Sequence, residues 1–259
     1  MEPFFFGTPS SQLYGVYHEP ARARSQARAV LLCYPIGHEY LRTHRAYRRL
    51  GERLAEIGFH VLRFDYSGTG DSAGNLADQT LDHWVADSLL AADELQVIAG
   101  TQDVVPIGLR LGGTIALKLC TKTRQARCAL WDPVVVGDRL IAELHRAIET
   151  NRLPKRDFVS QSGSMFFGGY EWTPALLHSL SELNADDLDF TAVDELLVLC
   201  THQAECAEDG IELSRVLSPR GTLQSVEGPK SWHAIDDVGG GYLPAQPVDV
   251  LVQWCDDRL

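Results

Sequence analysis

The sequence predicts an α/β architecture, a mostly parallel twisted sheet with helices on both faces, and three observations carry that expectation. Short apolar runs alternate with stretches whose apolar residues recur every three or four positions, the pattern of parallel strands joined by crossover helices. The chain has 259 residues, a routine size for one large α/β domain. Its 45% hydrophobic and 22% charged content is that of an ordinary globular protein and excludes a disordered or collagen-like chain.

Taken in order, the elements begin with a hairpin near Phe4–Phe6 and Leu13–His18, followed by a first parallel strand over Ala29–Tyr34. Ala46, Tyr47, Leu50, Leu54 and Ile57 then line one side of a helix, with Arg45, Arg48, Arg49, Glu52 and Arg53 on the other, so Thr43–Ile57 reads as amphipathic and Gly58 ends it. A strand at His60–Asp65 runs into a glycine-rich turn. Leu81, Trp84, Val85, Leu89, Ala92 and Leu95 mark the next helix, closed by Gly100. Strands are expected at Val104–Gly108 and Ala129–Trp131, with a helix opening at Gly113–Leu119 between them. The rhythm breaks from Gly137 to about Phe190, where helical pieces at Leu140–Ile148 and Ala175–Leu183 flank an irregular stretch, Ser162–Tyr170. It returns with a strand at Glu195–Cys200, a helix near Ala207–Leu217, a strand at Thr222–Val226 and a closing helix begun by Pro247. The expected organisation is a core of residues 1–136 and 191–259 with 137–190 inserted as a lid.

A formal net charge of −12, with no basic block, disfavours nucleic acid or anionic lipid as a partner. The N-terminus has no positive region, and its apolar run is too short for a signal peptide or a membrane span. Six scattered cysteines, never in a Cys-x-x-Cys pair, fit a reducing cytoplasm. No His, Cys and Asp grouping has structural-zinc spacing, so no metal is expected. Gly68–Ala73 matches a Gly-x-Gly-x-x-Ala dinucleotide pattern, but it follows the second crossover strand instead of the first, so no cofactor is expected either.

Chemistry concentrates at one pentapeptide. Gly108-Leu109-Arg110-Leu111-Gly112 lies between a strand and a helix start, the setting of the Gly-x-Ser-x-Gly nucleophile elbow. Together with Asp65-Tyr66-Ser67-Gly68-Thr69-Gly70-Asp71-Ser72 and the late histidine of Pro229-Lys230-Ser231-Trp232-His233, the chain resembles serine-aminopeptidase-like and lysophospholipase-like members of the α/β-hydrolase superfamily over nearly its whole length. More narrowly, Tyr34-Pro35-Ile36-Gly37-His38-Glu39-Tyr40 with the pentapeptide is similar to hydrolase-like proteins of exosortase-associated or natural-product gene neighbourhoods.

That resemblance implies an α/β-hydrolase fold. It also implies a base at His233, an acid near Glu205, and oxyanion-hole N–H groups from Leu111 and the Gly37–Glu39 loop. Position 110, where the attacking serine is expected, holds an arginine, which is no nucleophile at neutral pH. A guanidinium on a pocket floor needs an anion. Glu39, Asp132 and Glu205 are candidates, as is a ligand carboxylate or phosphate. Two functions follow. In one, a serine-less enzyme of a bacterial biosynthetic pathway acts on an acyl, ester or carboxylate-bearing small molecule, free or carrier-bound. Arg110 grips the anion, His233 with Glu205 moves a proton, and Gly37, His38, Glu39 and Leu111 polarise a carbonyl. In the other, a catalytically silent protein binds or delivers such an intermediate. On the bland alternative, His38 and Glu39 are merely a solvated loop pair. Nothing in the sequence decides whether the chain forms a homodimer.

Overall fold

A computed structural model describes residues 1–150, 163–189, 191, 193–201, 221–229, 231–233 and 244–258. The expected hairpin is present as β1 (Glu2–Thr8) and β2 (Ser11–His18), paired antiparallel. The short apolar runs become β3 (Ala29–Cys33), β4 (His60–Phe64), β5 (Val104–Leu109), β6 (Arg127–Trp131), β9 (Glu195–Thr201) and β10 (Gly221–Val226). One eight-stranded sheet results, in the order β1-β2-β4-β3-β5-β6-β9-β10, parallel from β4 onward. β2 joins β4 antiparallel, so the hairpin extends one edge.

The helices are α1 (His38–Glu56), α2 (Leu81–Ala99), α3 (Leu111–Thr123), α4 (Gly137–Thr150), α5 (Pro174–Ser181) and α6 (Ala245–Arg258). They cover both faces, as two adjacent residues at the end of β3 make plain. The Tyr34 ring stacks on Tyr47 and His44 of α1, whereas the Cys33 thiol faces Ser88 of α2. Burial pushes that thiol up to about 12, which makes it an inert core group. None of the helices described is long and apolar enough to cross a membrane.

Two expectations need correction. The first helix starts at His38, not Thr43, because Gly37 at φ 70° turns the chain out of β3 and the Thr43 hydroxyl donates to the Glu39 carbonyl at 2.8 Å. His38 and Glu39 are therefore helical. The irregular stretch before Tyr170 is in part a ribbon, β7 (Met165–Phe167) paired antiparallel with β8 (Tyr170–Trp172). Its signal was Gly168-Gly169, whose positive φ values of 59° and 85° form the tight reversal such a hairpin needs. The helix expected near Ala207–Leu217 lies outside the described residues.

The glycine-rich turn after β4 uses its amides within the protein. The N–H groups of Gly68, Thr69, Ser72 and Ala73 donate to Ala73, Tyr66, Thr69 and Gln12 carbonyls, and that of Asp71 to the Asp65 carboxylate. The turn between β5 and α3 is tighter. Its apex is Arg110, at φ 53° and ψ −124°, a conformation costing a non-glycine residue about 1–3 kcal/mol. A Cβ on Gly112 would collide with the Cys33 and Tyr34 carbonyl oxygens, which are backbone and cannot step aside. Gly112→Ala is therefore expected to lower stability by about 3 kcal/mol or more, the upper end for overpacking a core. Urea unfolding with an unchanged m-value is the measurement, and a midpoint close to that of the parent would refute the close approach.

Candidate functional site

The elbow presents Arg110 between β5 and α3, and its side chain is 0% exposed. Nε donates to Glu39 Oε1 at 3.1 Å, and one terminal nitrogen bonds Glu143 Oε2. Both carboxylates are themselves only 3% exposed. Glu39 comes from the first turn of α1, in the segment leaving β3. Glu143 comes from α4, on the stripe with Leu140, Leu144 and Ala147 that the helix buries. Sequence reasoning named Glu39 among the candidate anions and missed Glu143. The available signal was an acidic residue on the apolar face of an expected helix.

His233 completes the cluster. Its Nε2 lies 2.9 Å from Glu143 Oε2 and its Nδ1 lies 3.1 Å from His38 Nε2. Arg42 of α1 fixes the chain here by donating to the carbonyls of Ser231 at 2.6 Å and Trp232 at 2.8 Å. Phe167 of the ribbon packs edge-on against the His38 ring, with centroids 4.5 Å apart. Gly37 sits under Trp172, so closely that a Cβ there would meet the indole at 2.9 Å. His38 and Glu39 are thus buried, and the solvated-pair alternative is overturned by the helix start and the ribbon above it.

The remaining expectations divide. Asp132 does not pair with Arg110. It accepts from the Thr201 amide at 2.7 Å, the Thr201 hydroxyl at 2.6 Å and the Trp232 indole at 3.0 Å, which ties β6, β9 and the His233 segment together. Glu205 lies outside the described residues, and the acids against His233 among the described ones are Glu143, at 2.9 Å, and Glu39, at 4.0 Å. Leu111 is the first residue of α3, buried beside Arg110.

Charge follows geometry. Burial pushes the Glu143 carboxyl up, but Arg110 and His233 together hold it below its ordinary value. Burial, then the neighbouring His233, hold His38 well below 6.5, although the Trp232 carbonyl works the other way. Burial raises Asp132. His38, Glu39 and His233 also bring one potential metal-donor atom each within 4.8 Å of one another. The Glu39 oxygen already accepts from Arg110, so a dication there would stand beside a buried guanidinium, and the site's own charge opposes it.

The family model Hydrolase_4, described as serine aminopeptidase, S33, matches residues 26–194. The chain belongs to this family. Among curated relatives of this S33 family member, the mouse palmitoyl-protein thioesterase ABHD10, mitochondrial, is 34% identical over 102 residues, 39% of this chain and 33% of the relative. The human counterpart is 32% identical over 95 residues, 37% of this chain and 30% of its own length. The match therefore spans about a third of these relatives. Among solved structures, Est1E from Butyrivibrio proteoclasticus with ferulic acid bound superposes with a TM-score of 0.66 at 16% identity, covering 98% of this chain and 96% of that one. Mouse alpha/beta hydrolase domain-containing protein 10 gives 0.63 at 16% identity, covering 99% and 98%. The fold is the α/β-hydrolase fold.

Two outcomes follow from the cluster. Glu143→Gln leaves Arg110 short of one anion and is expected to cost about 3–5 kcal/mol, whereas Arg110→Met combined with Glu39→Gln and Glu143→Gln should recover most of that loss. Urea unfolding of both checks this, and a triple variant no better than the single would show that the charges do not compensate one another.

The second outcome concerns pH. An unfolded imidazole takes up a proton near pH 6.5, but His38 folded does not, so its contribution is complete above that pH and lost as pH falls. His18, lowered to about 4 chiefly by burial and then by Arg63, acts in the same direction. The depressed Glu143 carboxyl adds a further loss only below the ordinary glutamate range. His38→Gln should make thermal stability fall less steeply between pH 6.5 and 5; an unchanged slope would contradict the neutral assignment.

Proposed function

We propose that this chain is a non-hydrolytic member of its family that holds an acyl or carboxylate-bearing ligand, free or attached to a carrier, and forms no acyl-enzyme at the elbow. On this reading Arg110 replaces the attacking serine. The observation that carries it is the complete burial of the Arg110 guanidinium against two protein carboxylates. A group so neutralised neither attacks a carbonyl nor is free to clamp a ligand anion. In a triad enzyme the loss of the serine alone costs about six powers of ten in turnover.

The ligand class is supported by the name of the curated relatives, palmitoyl-protein thioesterase, which names an acyl thioester. It is supported too by the aromatic cover that Phe167 and Trp172 lay over His38 and Gly37. Residues 137–190 serve in this proposal as a lid on the core formed by 1–136 and 191–259. The biosynthetic setting rests on the resemblance carried by Tyr34–Tyr40 and Gly108–Gly112, and buried free thiols at Cys33, Cys120, Cys128 and Cys255 fit a reducing cytoplasm.

A second reading keeps catalysis without the serine. The hydrogen-bonded series Glu143, His233, His38 favours it, because such a chain could pass a proton to a ligand polarised by the N–H groups of Leu111 and the Gly37 turn. The experiment is treatment with a fluorophosphonate probe followed by intact mass analysis, alongside p-nitrophenyl acyl ester turnover. The expected result is no adduct and no burst, while palmitate raises the melting temperature. Stoichiometric labelling of any side chain overturns the non-hydrolytic reading. Burst-free turnover that His233→Ala abolishes in a folded protein establishes the second.

A further inference from the structure

A second polar site lies away from the elbow, on the α1 face of the sheet. A cavity of about 330 Å³ opens between α1 and strands β1, β2 and β4, within the range of roughly 300–1,000 Å³ usual for small-molecule pockets. None of its lining residues belongs to the Arg110 cluster. Arg63 of β4 and Asp65, the first residue past its end, line it together, two positions apart.

Among the described residues neither charge is paired. Arg63 is 4% exposed, and its partners are His18 Nε2 at 2.9 Å, the Tyr34 hydroxyl at 2.7 Å and Met1 Sδ at 3.7 Å. All three are uncharged, since His18 is held neutral and burial pushes the Tyr34 hydroxyl up to about 12. Asp65 is 6% exposed and accepts from the Tyr40 hydroxyl at 2.8 Å and the Asp71 amide at 3.1 Å. No described carboxylate lies within 4.0 Å of Arg63, and no described cation within 4.0 Å of Asp65.

Buried charges of opposite sign ordinarily pair, because each alone carries an uncompensated desolvation penalty. Here, although only Phe64 separates them in sequence, the two groups form no ion pair within 4.0 Å. Tyr34 and His44 line the same cavity, stacked at 6.0 Å with an interplanar angle of 5°. The Tyr34 hydroxyl accepts from Arg63, and its own proton is left to donate. Arg48 at the rim is turned to Glu52, at 2.9 Å.

The geometry points to a binding site for a small zwitterion, an amino acid bearing a carboxylate and an ammonium group. The carboxylate meets Arg63 and the Tyr34 hydroxyl, the ammonium meets Asp65 with Asp71 at the mouth, and the aromatic side chains wall the remainder. A simple anion would satisfy Arg63 and leave Asp65 facing added negative charge; a simple cation would do the converse.

Calorimetry and thermal shift at pH 7 with three probes of one shape test this: L-phenylalanine, 3-phenylpropionate lacking the ammonium, and 2-phenylethylamine lacking the carboxylate. L-phenylalanine is expected to bind at or below about 10 mM and to raise the melting temperature, each analogue binding at least about tenfold more weakly. Tyr34→Phe, which removes one oxygen, should weaken L-phenylalanine severalfold, and Asp65→Asn should erase the preference over 3-phenylpropionate. Equal binding of either analogue by the parent protein overturns the proposal, as does the absence of heat and shift with L-phenylalanine.

Discussion

The buried guanidinium of Arg110 sets the terms for everything around it. The side chain at position 110 is fully buried at a strand–helix turn where Gly108 and Gly112 let β5, α3 and the end of β3 approach closely. A cation there is tolerable only with anions close by. Glu39 and Glu143 supply them from opposite sides, so the first turn of α1 and the middle of α4 are held to the elbow. Glu143 shares its Oε2 with His233, and His233 meets His38 through its other nitrogen. One charge thus places four further side chains.

Much of the frame was legible, for physical reasons that differ by element. β3, β5 and β9 are buried on both faces and read as unbroken apolar runs, while α1 announces itself by a stripe of Ala46, Tyr47, Leu50 and Leu54 against a row of arginines. The ribbon at Met165–Trp172 was missed because three-residue strands are too short for alternation to show; only Gly168-Gly169 betrayed it. The site was half legible. His233, His38 and Glu39 follow from motifs on known turns, but Glu143 has no motif. Its partner is 33 residues away in sequence, and only packing brings α4 to the elbow.

Two treatments of buried charge coexist on one sheet. At the elbow, cation and carboxylates meet directly, and Glu143 Oε2 is shared with His233. Beneath α1, Arg63 is surrounded by neutral acceptors, and the close approach of Gly51 to the His18 ring keeps one of them in place. The difference lies in where the charges sit in the chain. Glu39 and Glu143 reach Arg110 from separate helices, whereas Arg63 in β4 and Asp65 just past its end are two positions apart in one segment and form no pair.

The orientation of His233 bears most directly on chemistry. In a serine triad the imidazole turns Nε2 to the nucleophile and gives its Nδ1 proton to an acid that orients it. Here Nε2 faces Glu143, a carboxylate already bonded to Arg110, and Nδ1 faces a histidine held neutral by burial. Both nitrogens are engaged, and the carboxylate bonded to the ring also neutralises the guanidinium. Freeing Nε2 for a ligand would strip Glu143 from His233 while leaving it on Arg110, so the cluster could open on one side without exposing its cation. The guanidinium stays paired with Glu39 and Glu143 through contacts that do not involve the His233 ring.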